Sequence, residues 1–161
     1  MTLWRFRRGL KVGDRAPAFD VPDETGERHH LSDYRGRWLV VFFYPLDNSP
    51  VCLREACAFN DQWDLFRGQG AEILGCSGQG AASHQDMSDA CRLRYRLLCD
   101  VDGTMRKAWG VPMGFSFGGS RISFVVDSEG IVRFVFKNLI RGRDHAALTL
   151  KFLTSTLKTA D

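Results

Sequence analysis

Long apolar runs are missing from this sequence: nothing in it approaches the ~18 consecutive apolar residues of a membrane-spanning helix. The N-terminus carries charge without an apolar core or a small-residue cleavage site, so no secretory leader is read there and a soluble chain is expected. Charge of one sign is also lacking. Lys and Arg number 22 against 19 Asp and Glu, a net +3, well short of the basic footprint of a dedicated nucleic-acid binder. The segment Trp4-Arg5-Phe6-Arg7-Arg8 reads as a solvated arm. Cysteine is too thin for a disulfide-stapled scaffold. Five cysteines in 161 residues do not pair off evenly, which favours a reducing compartment and chemical rather than structural sulfur. Repeats, low-complexity tracts and linkers are absent, so residues 1–161 are expected to form one domain, with 44% hydrophobic content to fill its core.

What the sequence does contain is an alternation of strand and helix signals. Residues 11–33 interleave short apolar pieces with turn residues and predict short strands or a hairpin. Trp38 to Tyr44 is an unbroken β-branched and aromatic run, the mark of a strand buried on both faces. Residues 51–67 then bring Leu53, Ala56, Cys57, Trp63 and Phe66 to helical spacing. Ala71 to Ser77 predicts a second buried strand, Ser83 to Arg94 an amphipathic helix, and Leu97-Leu98 a short strand. A helical turn follows at Thr104 to Trp109, then strands Ile122 to Val126 and Ile131 to Phe136, and a final helix N-capped by Asp144 and ending near Leu157. The pattern predicts an α/β fold with a central mixed sheet flanked by helices. Chemistry in such sheets sits at the carboxyl ends of strands.

The turn after Trp38 to Tyr44 carries the most reactive-looking residue. Ser49 is a good N-cap, Pro50 suits the first helical position, and Cys52 falls in the first turn, where backbone N–H groups and the helix dipole favour a thiolate. Cys57 lies ~140° around the helix and ~7.5 Å along it from Cys52. An intact helix cannot close a disulfide over that span. If the pair bonds, the helix must unwind locally.

Pro45-x-x-x-Ser49-x-x-Cys52, with Glu55-Ala56-Cys57 behind it, resembles the peroxide motif and resolving-cysteine segment of the peroxiredoxins, specifically the peroxiredoxin Q or bacterioferritin-comigratory-protein branch of the AhpC/TSA-like thiol peroxidases. The resemblance runs from Lys11-Val12-Gly13-Asp14 to the last helix and includes Ser83-His84, Arg121-x-x-Phe124-Val125-Val126-Asp127 and His145. It implies a thioredoxin-like fold with an N-terminal β-hairpin, and a peroxidase needing no metal, haem or flavin. In that reading Cys52 attacks hydrogen peroxide or an organic hydroperoxide and becomes a sulfenic acid, with Arg121 stabilising the charge. Ser49 offers its hydroxyl to the peroxide and Pro45 shields the sulfenate. Cys57 then forms an intrachain disulfide with Cys52, recycled by thioredoxin or a similar dithiol. Ser49 stands where threonine is commoner and could turn its hydroxyl to capping, and Val51 replaces the usual glycine. With no extra C-terminal segment carrying a resolving cysteine, a monomer is expected. The expected location is the cytoplasm, or an organellar stroma after removal of a transit peptide.

Several residues have plainer readings. Glu55 is either a structural or proton-relay group or a first-turn charge complementing the helix dipole. Cys76 reads as a core thiol, while Cys91 or Cys99 would act as resolving residues only if Cys57 did not. His84 and Cys91 are ~10 Å apart along a helix, too far for one metal. His29-His30 reads as a surface hairpin, and Arg92, Arg94 and Arg96 as a solvated face. Phe115 to Ser120 suggests an aromatic flap beside Arg121 which, with Trp109, could border the peroxide pocket. A thioredoxin-like disulfide reductase would normally show C-x-x-C at this turn, which is absent. A copper metallochaperone using Cys52, Cys57 and a histidine is the reading from another class.

Overall fold

The computed structural model describes residues 9–112 and 121–158. The basic arm at 4–8 and the aromatic run at 115–120 lie outside the described residues. A two-stranded antiparallel hairpin, β1 (Asp20–Pro22) and β2 (Arg28–His30), comes first, and a 3-10 turn at Leu31–Tyr34 leads into β3 (Trp38–Phe43). Then follow α1 (Pro50–Asp61), α2 (Trp63–Gly68), β4 (Ala71–Ser77), α3 (Ala81–Cys91), β5 (Arg96–Cys99), α4 (Thr104–Ala108), β6 (Ile122–Val126), β7 (Val132–Lys137) and α5 (Gly142–Lys158). Strands β3 to β7 form one sheet in the order β5-β4-β3-β6-β7; β3, β4 and β5 run parallel, while β6 and β7 are antiparallel additions. This is the central mixed sheet, with flanking helices and N-terminal hairpin, expected from the sequence.

The continuous apolar run of β3 follows from its place at the sheet's centre. Leu39, Val41 and Phe43 face one core with Phe19, Met105, Trp109 and Phe124. Val40 and Phe42, with Tyr44 just beyond, face a second core made by α1, α2, α3 and α5. Strands covered on both sides have no face to give to water, so polar alternation disappears.

Several helix boundaries differ from expectation, three of them with a local cause. Residues 51–67 do not form one helix: Gln62, at φ −103° and ψ 10°, separates α1 from α2. Arg92 caps α3 by entering the left-handed region at φ 52°, so the helix stops at Cys91, short of the expected Arg94. Asp144 is not the cap of α5 but lies in its first turn. The turn before the helix is made instead by Asn138, whose Oδ1 accepts from the N–H groups of Ile140 and Arg141. α5 begins on a glycine for a packing reason. A Cβ at Gly142 would sit 2.7 Å from the carbonyl oxygen of Val51 and 3.1 Å from Cβ of Glu55, so α5 abuts the start of α1 with no room for a side chain.

Candidate active site

β3 ends at Phe43, and Pro45 removes the next ladder donor, so the chain leaves the sheet through a loop to α1. Asn48 takes the left-handed conformation at φ 60°, which its short polar side chain tolerates. Ser49 then caps α1, its Oγ accepting from the Cys52 N–H at 3.3 Å, with Pro50 at the first helical position. The capping expected from the sequence is therefore present. Ser49 uses a lone pair for it, and its own O–H remains available to donate.

Topology brings Arg121 to the same place. Strand β6 runs antiparallel to β3, and Ile122 pairs with Phe43. The residue before Ile122 must therefore sit beside the loop that follows Phe43. Arg121 is 2% exposed and Cys52 is 0% exposed. One Nη of the guanidinium lies 3.2 Å from Sγ of Cys52, the other donates to Oε2 of Glu55, and Nε donates to the carbonyl of Leu139 at 3.1 Å. Burial alone would lower the Arg121 pKa, but Glu55 and Cys52 more than offset it and raise it, so the guanidinium stays charged. Burial pushes the Glu55 carboxyl up to about 8, against the pull of Arg121.

Glu55 is thus not a first-turn charge complementing the dipole. It lies past the first turn and is buried against Arg121. Its second oxygen, Oε1, has no hydrogen-bond partner among the described residues. Nδ1 of His145 lies 3.6 Å from it. That ring is already engaged: Nδ1 with the Ser123 hydroxyl at 2.7 Å and Nε2 with the Asn138 carbonyl at 2.8 Å. A carbonyl can only accept, so Nε2 carries the proton and Nδ1 accepts from Ser123.

Burial lowers His145 to about 4, with Arg121 adding to the effect and the Asn138 carbonyl opposing it. An unfolded chain takes up this proton as pH falls below ~6.5, whereas the folded chain does not until about 4. Stability is therefore lost progressively as pH drops across that window. The loss is about 3 kcal/mol at 1.36 kcal/mol per unit. Urea unfolding at pH 7 and pH 4 is expected to show this component in the wild type and lack it in His145→Asn; equal pH dependence in both would refute it.

The loop before Cys52 is held by a second buried network. Asp47 accepts from the Tyr44 hydroxyl at 2.6 Å and from Ser83 at 2.8 Å, and pairs with Nδ1 of His84 at 2.5 Å. Nε2 of His84 meets the Leu98 carbonyl at 2.8 Å. Gln79 adds a bond to the backbone N–H of Asp47 and one to the Pro45 carbonyl. The role of Asp47 was not visible in the sequence, although an acid in the loop between β3 and α1 facing Ser83-His84 across the sheet end was the available signal.

The cysteines are distributed differently from expectation. The Cys52–Cys57 bond is not present. Cys57 is bonded to Cys91, with their Cα atoms 5.3 Å apart, and Cys52 is a free thiol. The physical reason is that α1 is wound through both Cys52 and Cys57 and turns Cys57 away from Cys52, toward the end of α3. Cys91, set aside as a reserve in the sequence, is therefore Cys57's partner. Cys76 is a core thiol, its Sγ 3.9 Å from the Met105 sulfur, and burial pushes its pKa well up. Burial likewise pushes Cys99 up to about 11.

Asp23, Glu27 and His29 bring potential metal ligands together. Two of the three are already engaged: Asp23 accepts from Thr25 and from the Glu27 N–H, and His29 pairs with Asp23 and with the Tyr34 hydroxyl. His29 is therefore tied into the hairpin. Trp109, 0% exposed, packs on Phe43 and Phe124 and donates its indole N–H to the Pro17 carbonyl. It belongs to the core on the face of the sheet opposite α1.

The AhpC/TSA family pattern matches residues 12–135. The chloroplastic peroxiredoxin Q of Suaeda salsa is 41% identical over 148 residues, covering 91% of this chain and 69% of its own. That of Oryza sativa subsp. japonica is 40% identical, covering 91% and 68%. Among solved structures, peroxidoxin BcpB from Mycobacterium tuberculosis overlays with a TM-score of 0.84 at 31% identity, covering 91% of this chain and 97% of that one. Peroxiredoxin Q of Xanthomonas campestris overlays with a TM-score of 0.78 at 28% identity, covering 85% and 90%.

Proposed function

The chain belongs to the AhpC/TSA family and is a thiol-dependent peroxidase of the peroxiredoxin Q branch; on that premise we propose which side chains carry the reaction. Cys52 attacks the terminal oxygen of hydrogen peroxide or an organic hydroperoxide. The O–O bond breaks, water or alcohol departs, and Cys52 is left as a sulfenic acid. The observation that carries this assignment is the guanidinium of Arg121, 3.2 Å from the Cys52 sulfur in a site from which solvent is excluded. A fixed positive charge there stabilises the anionic sulfur and the charge developing on the peroxide oxygens without reorganising during the reaction. Glu55 positions Arg121. Ser49, whose oxygen already accepts the Cys52 N–H, donates its proton toward the peroxide, and Pro45 shields the sulfenate.

Cys57 attacks the Cys52 sulfenate, releasing water and forming a Cys52–Cys57 disulfide. Because wound α1 keeps the two sulfurs on different faces, the first turn opens for this step. Reduction is by thioredoxin or a dithiol of that class. Three further parts of the reading are that residues 1–161 form a single domain, that the protein works as a monomer, and that it resides in the cytoplasm. Among the described residues no helix is long and apolar enough to cross a membrane.

The direct test is peroxide consumption coupled to a thioredoxin system and followed through NADPH oxidation. Sustained turnover with either hydrogen peroxide or an alkyl hydroperoxide is expected. Absence of consumption of both, by folded and fully reduced protein, would overturn the reading.

A further inference from the structure

The bond between Cys57 and Cys91 leaves α1 wound and Cys52 reduced beside Arg121. The chain is thus oxidised by two electrons while its peroxide-reacting group stands ready. From this we infer that Cys91 is a second resolving residue in a three-cysteine relay, taking the disulfide from Cys52 and re-arming it before any reductant acts. The inference rests on the peroxidase reading above.

The placement of Cys91 does not depend on the disulfide. Asn60 on α1 donates to the carbonyls of Cys91 and Arg92, each at 3.1 Å, and its Oδ1 accepts from the Arg94 N–H. The Tyr95 hydroxyl donates to the Ala56 carbonyl at 2.7 Å. These four bonds tie the end of α3 and the residues after it to the later turns of α1. Phe59 and Ala56 are fully buried beneath. The later turns of α1 are therefore fixed to this segment, and the part of α1 not tied to it is the first turn, which carries Cys52. When that turn opens and Cys52 closes on Cys57, Cys57 stays where Cys91 can reach it. The 5.3 Å Cα separation lies within the range a disulfide spans without backbone movement.

The exchange balances without an added oxidant. The Cys91 thiolate attacks Sγ of Cys57, the Cys52–Cys57 bond breaks, and Cys52 leaves as the thiolate. A proton released from Cys91 goes to solvent. The oxidising equivalents are those the peroxide delivered. Direction is set by what is regained: the first turn of α1 rewinds, Ser49 caps it again, and the released sulfur returns to Arg121. The product bond also suits a reductant better. Cys57 and Cys91 are both partly exposed, while Cys52 is enclosed.

Fully reduced protein, freed of reductant and given hydrogen peroxide in small steps, is expected to consume two equivalents per chain rapidly. The first ends at Cys57–Cys91 and the second at a Cys52 sulfenic acid that dimedone labels. Cys91→Ser should consume one equivalent and stop at Cys52–Cys57. Far-UV circular dichroism after one equivalent should show helix loss in Cys91→Ser and none in the wild type. Cys52→Ser should not form Cys57–Cys91 on the same timescale. The relay is overturned if the wild type stops at one equivalent with Cys52–Cys57 mapped, or if Cys52→Ser forms Cys57–Cys91 as fast as the wild type, which would make that bond a passive staple. If no variant and no wild-type sample reacts with peroxide, the peroxidase reading itself fails, and the relay with it.

Discussion

Cys52→Ser is expected to abolish peroxide turnover, with kcat/KM falling by roughly 10⁴-fold or more, the scale seen when an enzyme loses its nucleophile. A serine hydroxyl keeps the size of the side chain and its place in the capped turn, so the fold should survive. What disappears is the anion. Arg121 can stabilise a thiolate, but a hydroxyl is a far weaker acid than a thiol and attacks an O–O bond poorly. The measurement is pseudo-first-order peroxide loss with a thioredoxin system, alongside urea unfolding to verify that the variant is folded. Residual turnover within tenfold of wild type would show that another sulfur, Cys57 or Cys91, meets the peroxide.

The second large effect is at Arg121, where charge and geometry can be separated. Its three donor positions are committed to the Cys52 sulfur, Glu55 and the Leu139 carbonyl. Lysine keeps a positive charge but cannot serve three fixed directions with one ammonium. Arg121→Met removes the charge as well. The expected losses in kcat/KM are roughly 10²-fold for Arg121→Lys and 10³-fold for Arg121→Met, the range for removing a preorganised electrostatic donor. Arg121→Met also removes the pull that opposes burial at Glu55, whose carboxyl already sits at about 8 with the guanidinium present, and so raises it further. Both proteins hold Glu55 neutral at pH 5, so the destabilisation from this group should be absent there and emerge only at and above about pH 8. Rates unaffected by Arg121→Met would remove the guanidinium from the chemistry.

The parts of this site that could be read from sequence are those encoded locally. Ser49, Pro50 and Cys52 occupy adjacent helix positions, and capping rules act over three or four residues. The β3 run and its central place follow from uninterrupted hydrophobicity. Pairings across the chain were harder. Cys57 and Cys91 are separated by 34 residues, and their meeting depends on where Gln62 breaks one helix and Arg92 ends another. Neither residue type demands such a boundary. Packing against Trp63, Tyr95 and Asn60 decides it. The spacing of Cys52 and Cys57 did carry the fact that a wound helix keeps them apart, yet nothing local said which sulfur would take Cys57 instead. The two readings of Glu55 cannot be separated locally because its burial comes from α5 and from Arg121 just before β6, both more than 60 residues away. Arg121 was recognised through resemblance, and the antiparallel register of Phe43 with Ile122 supplies the physical reason for its position.

The bare Cα of Gly142 has a consequence for damage. The close approach of α5 to the Val51 carbonyl means the first turn of α1 must move against α5 to open, and while the turn stays wound a newly formed sulfenic acid faces incoming peroxide and not Cys57. A second peroxide can then carry it to sulfinic acid, which thiols do not reverse. The tight seat of α5 on α1 therefore trades endurance for readiness. It keeps Cys52 in its reactive setting for the greatest part of each cycle, and exposes the enzyme to self-inactivation when peroxide arrives faster than the turn can open.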